Sequence, residues 1–288
     1  MEPVFKQKLK RKLIQIAAFG FTNCHAGNFL TGKLYKGRFK KFCTPGLNCY
    51  SCPAATVSCP IGSLLAVTGR ADFKVSFYVW GFLLAIGAVL GRAVCGFLCP
   101  FGLLQDLLNK IPFVKKIRTF KGDRKLRKMK YIVLIVLVIA IPIFAKLTPT
   151  FCKFLCPSGT LSGVLLSISD SKIIALLGGR FMWKLSVLLI VVILSVMIYR
   201  PFCKYLCPLG AIYAPFNKVA LLRMECDSES CIDCGACKDA CGMGVDPTKD
   251  ANDMECIRCG ACIKSCPVKA LSYEFGFKKE KNPAKNPQ

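Results

Sequence analysis

The stretch CKYLCPLGA, residues 203–211, follows a long apolar run that ends at Tyr199. Two close copies precede it, CGFLCPFGL at residues 95–103 and CKFLCPSGT at residues 152–160, and a fainter one, TVSCPIGSL, occupies residues 56–64. A motif that recurs in this way indicates internal duplication. The chain is therefore expected to contain structural repeats, each marked by the pattern Cys-x3-Cys-Pro-x-Gly.

Composition places the chain among membrane proteins. Of its 288 residues 53% are hydrophobic, the formal net charge is +25, and 20 residues are cysteines. The positive charges flank apolar runs, which is typical of membrane topology and argues against a nucleic-acid partner. Cysteine spacing, described below, indicates metal ligation instead of disulfides.

The apolar runs predict an α-helical membrane bundle of about four transmembrane helices over residues 1–222. The predicted spans are residues 13–30, 73–90, 131–147 and 182–199. Lysine and arginine concentrate at the N-terminus, between the second and third spans, and after the fourth, so these parts are expected in the cytoplasm. The protein is thus predicted to be a multi-pass protein of the cell membrane.

Residues 223–275 predict a small α+β domain of the bacterial 2[4Fe–4S] ferredoxin type, followed by a disordered tail at 276–288. Two C-x2-C-x2-C-x3-C runs begin at Cys231 and Cys256. In such runs three cysteines bind one cluster and the fourth binds the other. This rule assigns Cys231, Cys234, Cys237 and Cys266 to cluster one, and Cys256, Cys259, Cys262 and Cys241 to cluster two. Zinc, which also uses paired C-x2-C spacing, is disfavoured by eight cysteines in this register. Cys226 is left over.

The repeated motif predicts a third [4Fe–4S] cluster at the inner face of the membrane. Two residues four apart share a helical face, and one such pair cannot complete a cubane. Cys95 and Cys99 follow the second span and Cys203 and Cys207 follow the fourth, so both pairs are expected on the same side. The competing interpretation is that these cysteines are packing residues.

The outer face offers six further thiols, of which four can hold a fourth cluster: Cys43, Cys49, Cys52, Cys59, Cys152 and Cys156. Symmetry of the repeats places Cys59 near Cys152 and Cys156, with one more ligand from the remaining three. Alternatively, the four cysteines at 43–59 form the cluster alone. Spacing leaves both arrangements open.

These motifs resemble the membrane-bound polyferredoxins of the NapH and NosR C-terminal type. The resemblance covers roughly residues 73–272 and implies electron transfer between a cytoplasmic donor or the quinone pool and an extracytoplasmic acceptor. It also implies redox partner proteins on both faces, with a flavoprotein or reductase outside, and makes a quinone or flavin a candidate cofactor. Clusters at opposite faces of a ~30 Å hydrocarbon core would be far apart, unless the Cys-Pro loops dip inward or such a cofactor bridges them.

The alternative hypotheses are a copper-reducing assembly factor and a redox sensor. The outer loops contain neither the methionine-rich nor the histidine-rich stretches that would favour copper. His25 is the single histidine, so a nucleophile–base pair of the hydrolytic kind is not expected. It is a candidate quinone contact, and the competing interpretation is a packing residue.

Overall fold

The computed structural model describes residues 2–68, 77–112, 116–117, 119–120, 122–144, 149–169 and 178–276. The predicted tail at 276–288, apart from its first residue, and parts of the second and third predicted spans lie outside these residues. The helices of the N-terminal part are α1 Glu2–Thr22, α2 Asn28–Thr31, a 3-10 turn Arg38–Lys41, α3 Pro60–Thr68, α4 Phe77–Leu90, α5 Ala93–Phe97, α6 Pro100–Leu108 and α7 Asp123–Leu126. They continue with α8 Met129–Val133, a π-helical stretch Leu134–Ala140, α9 Ile141–Phe144, α10 Thr150–Phe154, α11 Pro157–Ser169, α12 Gly179–Met197, α13 Pro201–Tyr205 and α14 Pro208–Phe216.

One helix of the described residues, α12, is long and apolar enough to cross a membrane. Helix α4 is similarly apolar but has 14 residues. Residues 129–144 are helical throughout, with a π-helical middle before Pro142, which has no N–H to donate. The structure is therefore helical, and it does not confirm a bundle of four spanning helices.

The first long helix does not coincide with the first predicted span, residues 13–30. Helix α1 begins at Glu2 and ends at Thr22, and turns then lead into the short α2. The polar residues of the predicted span explain this end, because the side chains of Thr22 and Asn23 both donate to carbonyls of the last turn. Side chains that compete for backbone partners in this way favour helix ends.

Each of the three close motif copies forms the same local structure. A five-residue helix carries the first cysteine, and a break at the second cysteine precedes a longer helix. The pairs are α5 with α6, α10 with α11, and α13 with α14. The break has a local cause, since the residue before a proline disfavours helical dihedrals.

The C-terminal part is a two-stranded antiparallel sheet that encloses two short helices. Strand β1, Leu222–Cys226, pairs with β2, Leu271–Phe275, in the register Leu222↔Phe275. Helices α15, Ala236–Asp239, and α16, Ala261–Ser265, each follow a glycine in the left-handed region. This α+β unit also packs on the helices, because Met243, Val245 and Ile257 belong to the same buried core as residues of the preceding helices.

Candidate iron–sulfur sites

The second cysteine of the Cys-x3-Cys-Pro motif begins a helix. Cys99 and Cys207 are the N-cap residues of α6 and α14, and the proline after each takes the first helical position. Proline suits that position, because its missing N–H would have no partner there. The positive end of the helix dipole thus lies at the cysteine sulfur, where it favours a thiolate.

The glycine three residues after this cysteine places its amide against the sulfur. The Gly210 amide donates to the Cys207 sulfur at 3.4 Å. The same contact recurs in the other three copies, in the pairs Gly62–Cys59, Gly102–Cys99 and Gly159–Cys156. The faint copy at Cys59 is therefore structurally equivalent to the others, and the whole motif presents a thiol to N–H donors.

Cys95, Cys99, Cys203 and Cys207 form one group, here called the central site. All four are buried, and their thiols interact electrostatically with one another. Burial and the neighbouring thiols raise the pKa of Cys99 to about 12. A thiol of this kind ionises only when a metal binds. Gln105 adds a side-chain donor, whose Nε2 lies 3.2 Å from the Cys203 sulfur.

Buried positive charge surrounds the central site. Three largely buried carboxylates are each shared by two cations: Asp106 by Arg11 and Arg200, Glu255 by Arg92 and Lys130, and Asp123 by Arg127 and Lys204. Burial alone would raise the pKa of Asp106, but Arg200 and Arg11 hold it below its ordinary value. The Nε of Arg92 is buried and has no hydrogen-bond partner in the described part of the chain. Surplus buried cations are costly without an anion, and a cluster with four thiolates is an anion.

Cys49, Cys59, Cys152 and Cys156 form a second group, the distal site. The Cys152 and Cys156 thiols interact electrostatically with those of both Cys49 and Cys59. The spacing leaves two arrangements open. The structure brings together the first, in which Cys59 and one more loop cysteine join Cys152 and Cys156, and not the four loop cysteines alone.

The other two outer cysteines have different neighbours. Cys43 lies 3.8 Å from the hydroxyl of Ser63. Cys52 packs with Ala54 and Ala55 in a small cluster that Cys49 also contacts. Cys49 is thus the loop cysteine that interacts with both Cys152 and Cys156, and Cys52 lies next to it.

The C-terminal cysteines line two pockets in the sets that the spacing predicts. One pocket, the terminal ferredoxin site, is lined by Cys231, Cys234, Cys237 and Cys266. The other, the proximal ferredoxin site, is lined by Cys241, Cys256, Cys259 and Cys262. Each run has a positive φ at its third and fifth positions. These are Asp233 and Gly235 in the first run and Arg258 and Gly260 in the second. Their loops therefore wrap their pockets alike.

The proximal ferredoxin site lies directly against the central site. A Cβ placed on Gly96, the residue after Cys95, would lie 2.4 Å from the main-chain oxygen of Ile257. Arg92 crosses the same boundary, where it donates to the main-chain oxygen of Met254 at 2.7 Å and to Glu255 at 2.8 Å. The loops of the two sites are therefore in van der Waals contact.

The central and distal sites are also close. The buried Tyr213 ring interacts electrostatically with Cys95 and Cys99 of the central site and with Cys59 of the distal site. A Cβ on Gly46 would lie 2.7 Å from the Cα of Cys99. The segment before Cys49 thus reaches in to the Cys99 loop, so the central and distal sites are not separated by the full thickness of a hydrocarbon core.

Two further sequence candidates, His25 and Cys226, lie at the margins of these sites. The His25 Nδ1 lies 3.3 Å from both the Cys24 sulfur and the Thr56 hydroxyl, and the ring stacks on Tyr35 at 4.1 Å. His25 therefore has the contacts of a packing residue. Cys226 lies beside Cys231 and lines the terminal ferredoxin site as a fifth thiol.

The donor sets of all four sites consist of cysteines, which are the ligands of [4Fe–4S] clusters. Four thiols around a pocket, amides aimed at sulfur and nearby buried cations are what an anionic cubane requires.

Comparison with known proteins also indicates 4Fe–4S binding. A family described as "4Fe-4S binding domain" matches three times, at residues 74–121, 130–175 and 180–224, and a second family of that description matches residues 251–272. The chain belongs to the 4Fe-4S ferredoxin-type proteins. The resemblance to the NosR C-terminal type is thereby confirmed.

Relatives of this ferredoxin-type chain include an uncharacterized protein of Methanocaldococcus jannaschii. It is 29% identical over 208 residues, which cover 68% of this chain and 78% of the relative. The regulatory protein NosR of Pseudomonas aeruginosa is 31% identical over 163 residues, 52% of this chain and 21% of NosR. The methylamine utilization ferredoxin-type protein MauN of Paracoccus denitrificans is 29% identical over 164 residues, 56% of this chain and 50% of MauN. No solved structure matches significantly.

Sequence reasoning missed the residues around the thiols of this ferredoxin-type chain. Arg92 and Arg200 stand three residues before Cys95 and Cys203, and the corresponding position of the middle copy is Pro149. This difference is visible in the sequence, and it separates the two copies that pair from the one that does not. Tyr213 and the 44–48 segment carry no such signal.

Proposed function

We propose that the protein is a membrane electron-transfer protein in which each of the four sites holds one [4Fe–4S] cluster. Electrons pass along the order terminal ferredoxin, proximal ferredoxin, central and distal site, or in the reverse direction. The cysteines are the cluster ligands, and the clusters supply the one-electron chemistry. The protein itself positions the clusters and sets their potentials through charge and hydrogen bonding.

One observation carries this proposal: the central site touches both of its neighbours. Gly96 meets Ile257 on one side, and Gly46 meets Cys99 on the other. Clusters held by loops in contact need no additional carrier between them. A protein in which only the ferredoxin domain was functional would have no reason to bury four further thiols at its edge.

Membrane insertion by four helical segments is part of the proposal. Large apolar side chains are exposed on α1, α4, the 129–144 segment and α12; examples are Phe21 (74% exposed), Phe77 (82%), Phe144 (87%) and Ile193 (59%). Exposed apolar faces on every long helix suit contact with lipid. Segments shorter than a bilayer are accommodated by local thinning or by flanking residues.

The orientation with the ferredoxin domain in the cytoplasm is supported by the N-terminus. Arg11 of the basic first helix donates to the Gly96 carbonyl and pairs with Asp106, beside the proximal ferredoxin site. The basic N-terminus and the ferredoxin domain thus share one side, as the positive-inside rule expects. Redox partners are proposed on both faces: a donor at the ferredoxin domain, and a flavoprotein or reductase beyond the distal site.

A quinone is the proposed membrane-soluble reactant. A cavity of about 240 Å³, partly open to the surroundings, lies between α1, α6 and α11. Its walls are apolar, with Phe19, Phe101 and Leu161 among them, and its polar groups include Asn48 and Ser158. An apolar cavity with few polar groups is typical of small-molecule sites. Pro100 and Cys52 also line it, so it borders both the central and the distal loops.

Iron counting tests the proposal. The full-length protein is purified anaerobically in detergent, and iron and acid-labile sulfide are measured for wild type and for Cys203→Ser/Cys207→Ser. Four cubanes predict about sixteen irons, and the variant should lose about four. The matched control is Cys24→Ser, which removes a thiol outside all four sites and should leave the count unchanged.

A wild-type count of about eight irons would overturn the proposal, because only the ferredoxin domain would then carry clusters. An equal loss of iron in Cys24→Ser would show that the assay reports general misfolding. EPR spectra of the reduced protein identify which cluster is missing in each variant.

A further inference from the structure

We propose that the peptide joining Leu47 and Asn48 is the electron path between the central and distal sites, and that Gly46 and Tyr213 position it. This inference rests on the proposed function, since it requires a cluster in each site. One electron leaves the reduced cluster of one site and enters the oxidised cluster of the other. No covalent bond forms or breaks, and no proton is transferred.

The two amides of this peptide segment point to different sites. The amide N–H of Leu47 donates to the sulfur of Cys99, in the central site. The next amide, that of Asn48, donates to the sulfur of Cys59, in the distal site. Consecutive residues in the chain thus form hydrogen bonds to a ligand of each cluster.

The resulting route is short. From sulfur to sulfur it consists of one N–H···S hydrogen bond, the three covalent bonds from the Leu47 nitrogen to the Asn48 nitrogen, and a second N–H···S bond. One residue spans at most ~3.6 Å, so the peptide adds little to the separation of the two sulfurs. Bonds and hydrogen bonds carry electronic coupling better than empty gaps of the same length.

Gly46 permits the approach. A Cβ at this position would lie 2.7 Å from the Cys99 Cα and 3.1 Å from the Leu98 main-chain oxygen. Any other residue must push the segment away from the Cys99 loop, since neither contact is with a flexible side chain. Leu47 and Asn48 are both buried, so the path excludes water.

Tyr213 holds the segment from the other side. Its hydroxyl donates to the main-chain oxygen of Pro45 at 3.2 Å. Its ring, with 0% exposure, lies where it interacts with thiols of both sites. Tyr213 is thus a positioning residue, and it acts through the 45–48 segment.

The first test compares Gly46→Ala with Gly163→Ala. In the full-length protein, the rate of electron equilibration between central and distal clusters is followed by freeze-quench EPR after rapid partial reduction with dithionite. Gly46→Ala should keep its iron and slow equilibration by at least about tenfold, since displacements of the order of an ångström change rates this much. In Gly163→Ala the added Cβ has an ordinary neighbour, Phe181 at 3.6 Å, and the rate should not change.

The second test compares Tyr213→Phe with Tyr50→Phe. Tyr213→Phe retains the ring and loses the hydrogen bond to Pro45, so slower equilibration with full iron content is expected. Tyr50 is 53% exposed, and its variant should behave as wild type. If Gly46→Ala fails to assemble its clusters, the equilibration rate of Tyr213→Phe alone tests the path.

Two results would contradict the proposed path, and they have different consequences for the proposed function. Full iron with unchanged rates in both Gly46→Ala and Tyr213→Phe would overturn the path but leave the proposed function intact. A wild-type protein without clusters in the central and distal sites would overturn the proposed function, and the path with it.

Discussion

The Arg92 guanidinium donates a hydrogen bond to the main-chain oxygen of Cys203, 3.3 Å away. Arg200 makes the reciprocal contact with the oxygen of Cys95. Each arginine precedes the first cysteine of its own motif copy by three residues and caps the corresponding cysteine of the other copy. The two copies are thus locked together as a symmetric pair. The middle copy has Pro149 in place of the arginine, and its cysteines join the 49–59 loop instead.

Replacing Arg92 with Gln should lower the reduction potential of the central cluster. Removal of a positive charge ~8 Å away, at an effective dielectric constant of ~20, destabilises the reduced form and predicts a fall of roughly 50–100 mV. EPR-monitored redox titration measures the potential. The exposed Arg180→Gln is the control, and an equal shift in both variants would contradict the assignment.

Cys49→Ser should lose the distal cluster, whereas Cys43→Ser and Cys52→Ser should retain it. Of these three thiols, Cys49 is the one that interacts with both Cys152 and Cys156. The expected iron loss is about four per chain for Cys49→Ser. Loss of the cluster in Cys52→Ser with retention in Cys49→Ser would show that the loop is folded differently.

Gly102→Ala should destabilise the central site. The added Cβ would lie 3.0 Å from the Arg200 Nη1 and 3.1 Å from the Cys95 oxygen, so it disturbs the capping contact. Overpacking of this kind costs about 1–3 kcal/mol. The thermal unfolding midpoint in detergent should fall. For Gly20→Ala, where nothing lies within 4 Å, the midpoint should not fall.

Gln105→Met should lower the potential of the central cluster without loss of iron. The amide Nε2 donates to the Cys203 sulfur at 3.2 Å, and hydrogen bonds to sulfur stabilise the more negative, reduced cluster. Redox titration measures the shift. Asn109→Leu removes a nearby amide that bonds Ser195 and touches no thiol, so it should leave the potential unchanged.

The helical class, the repeated motif and the ferredoxin ligand sets can be predicted from the sequence because each depends on residues close together in the chain. The run Cys256–Cys266 dictates its own loop, and the proline after Cys99 or Cys207 starts a helix wherever it stands. The end of helix α1 was not predicted in this way. Hydropathy averages over a window, whereas Thr22 and Asn23 end the helix through single hydrogen bonds.

The sequence by itself determined that the motif copies present thiols and that the last eight cysteines form two sets. It also predicted that the copies at Cys95 and Cys203 pair. Tertiary structure alone decided which loop cysteine completes the distal group and that the central and distal sites meet. These outcomes depend on contacts between residues far apart in the chain, such as Cys49 with Cys152 or Tyr213 with Pro45. Buried charge and close packing select one such arrangement, because a buried arginine without its acceptor or a Cβ beside Gly46 would be too costly.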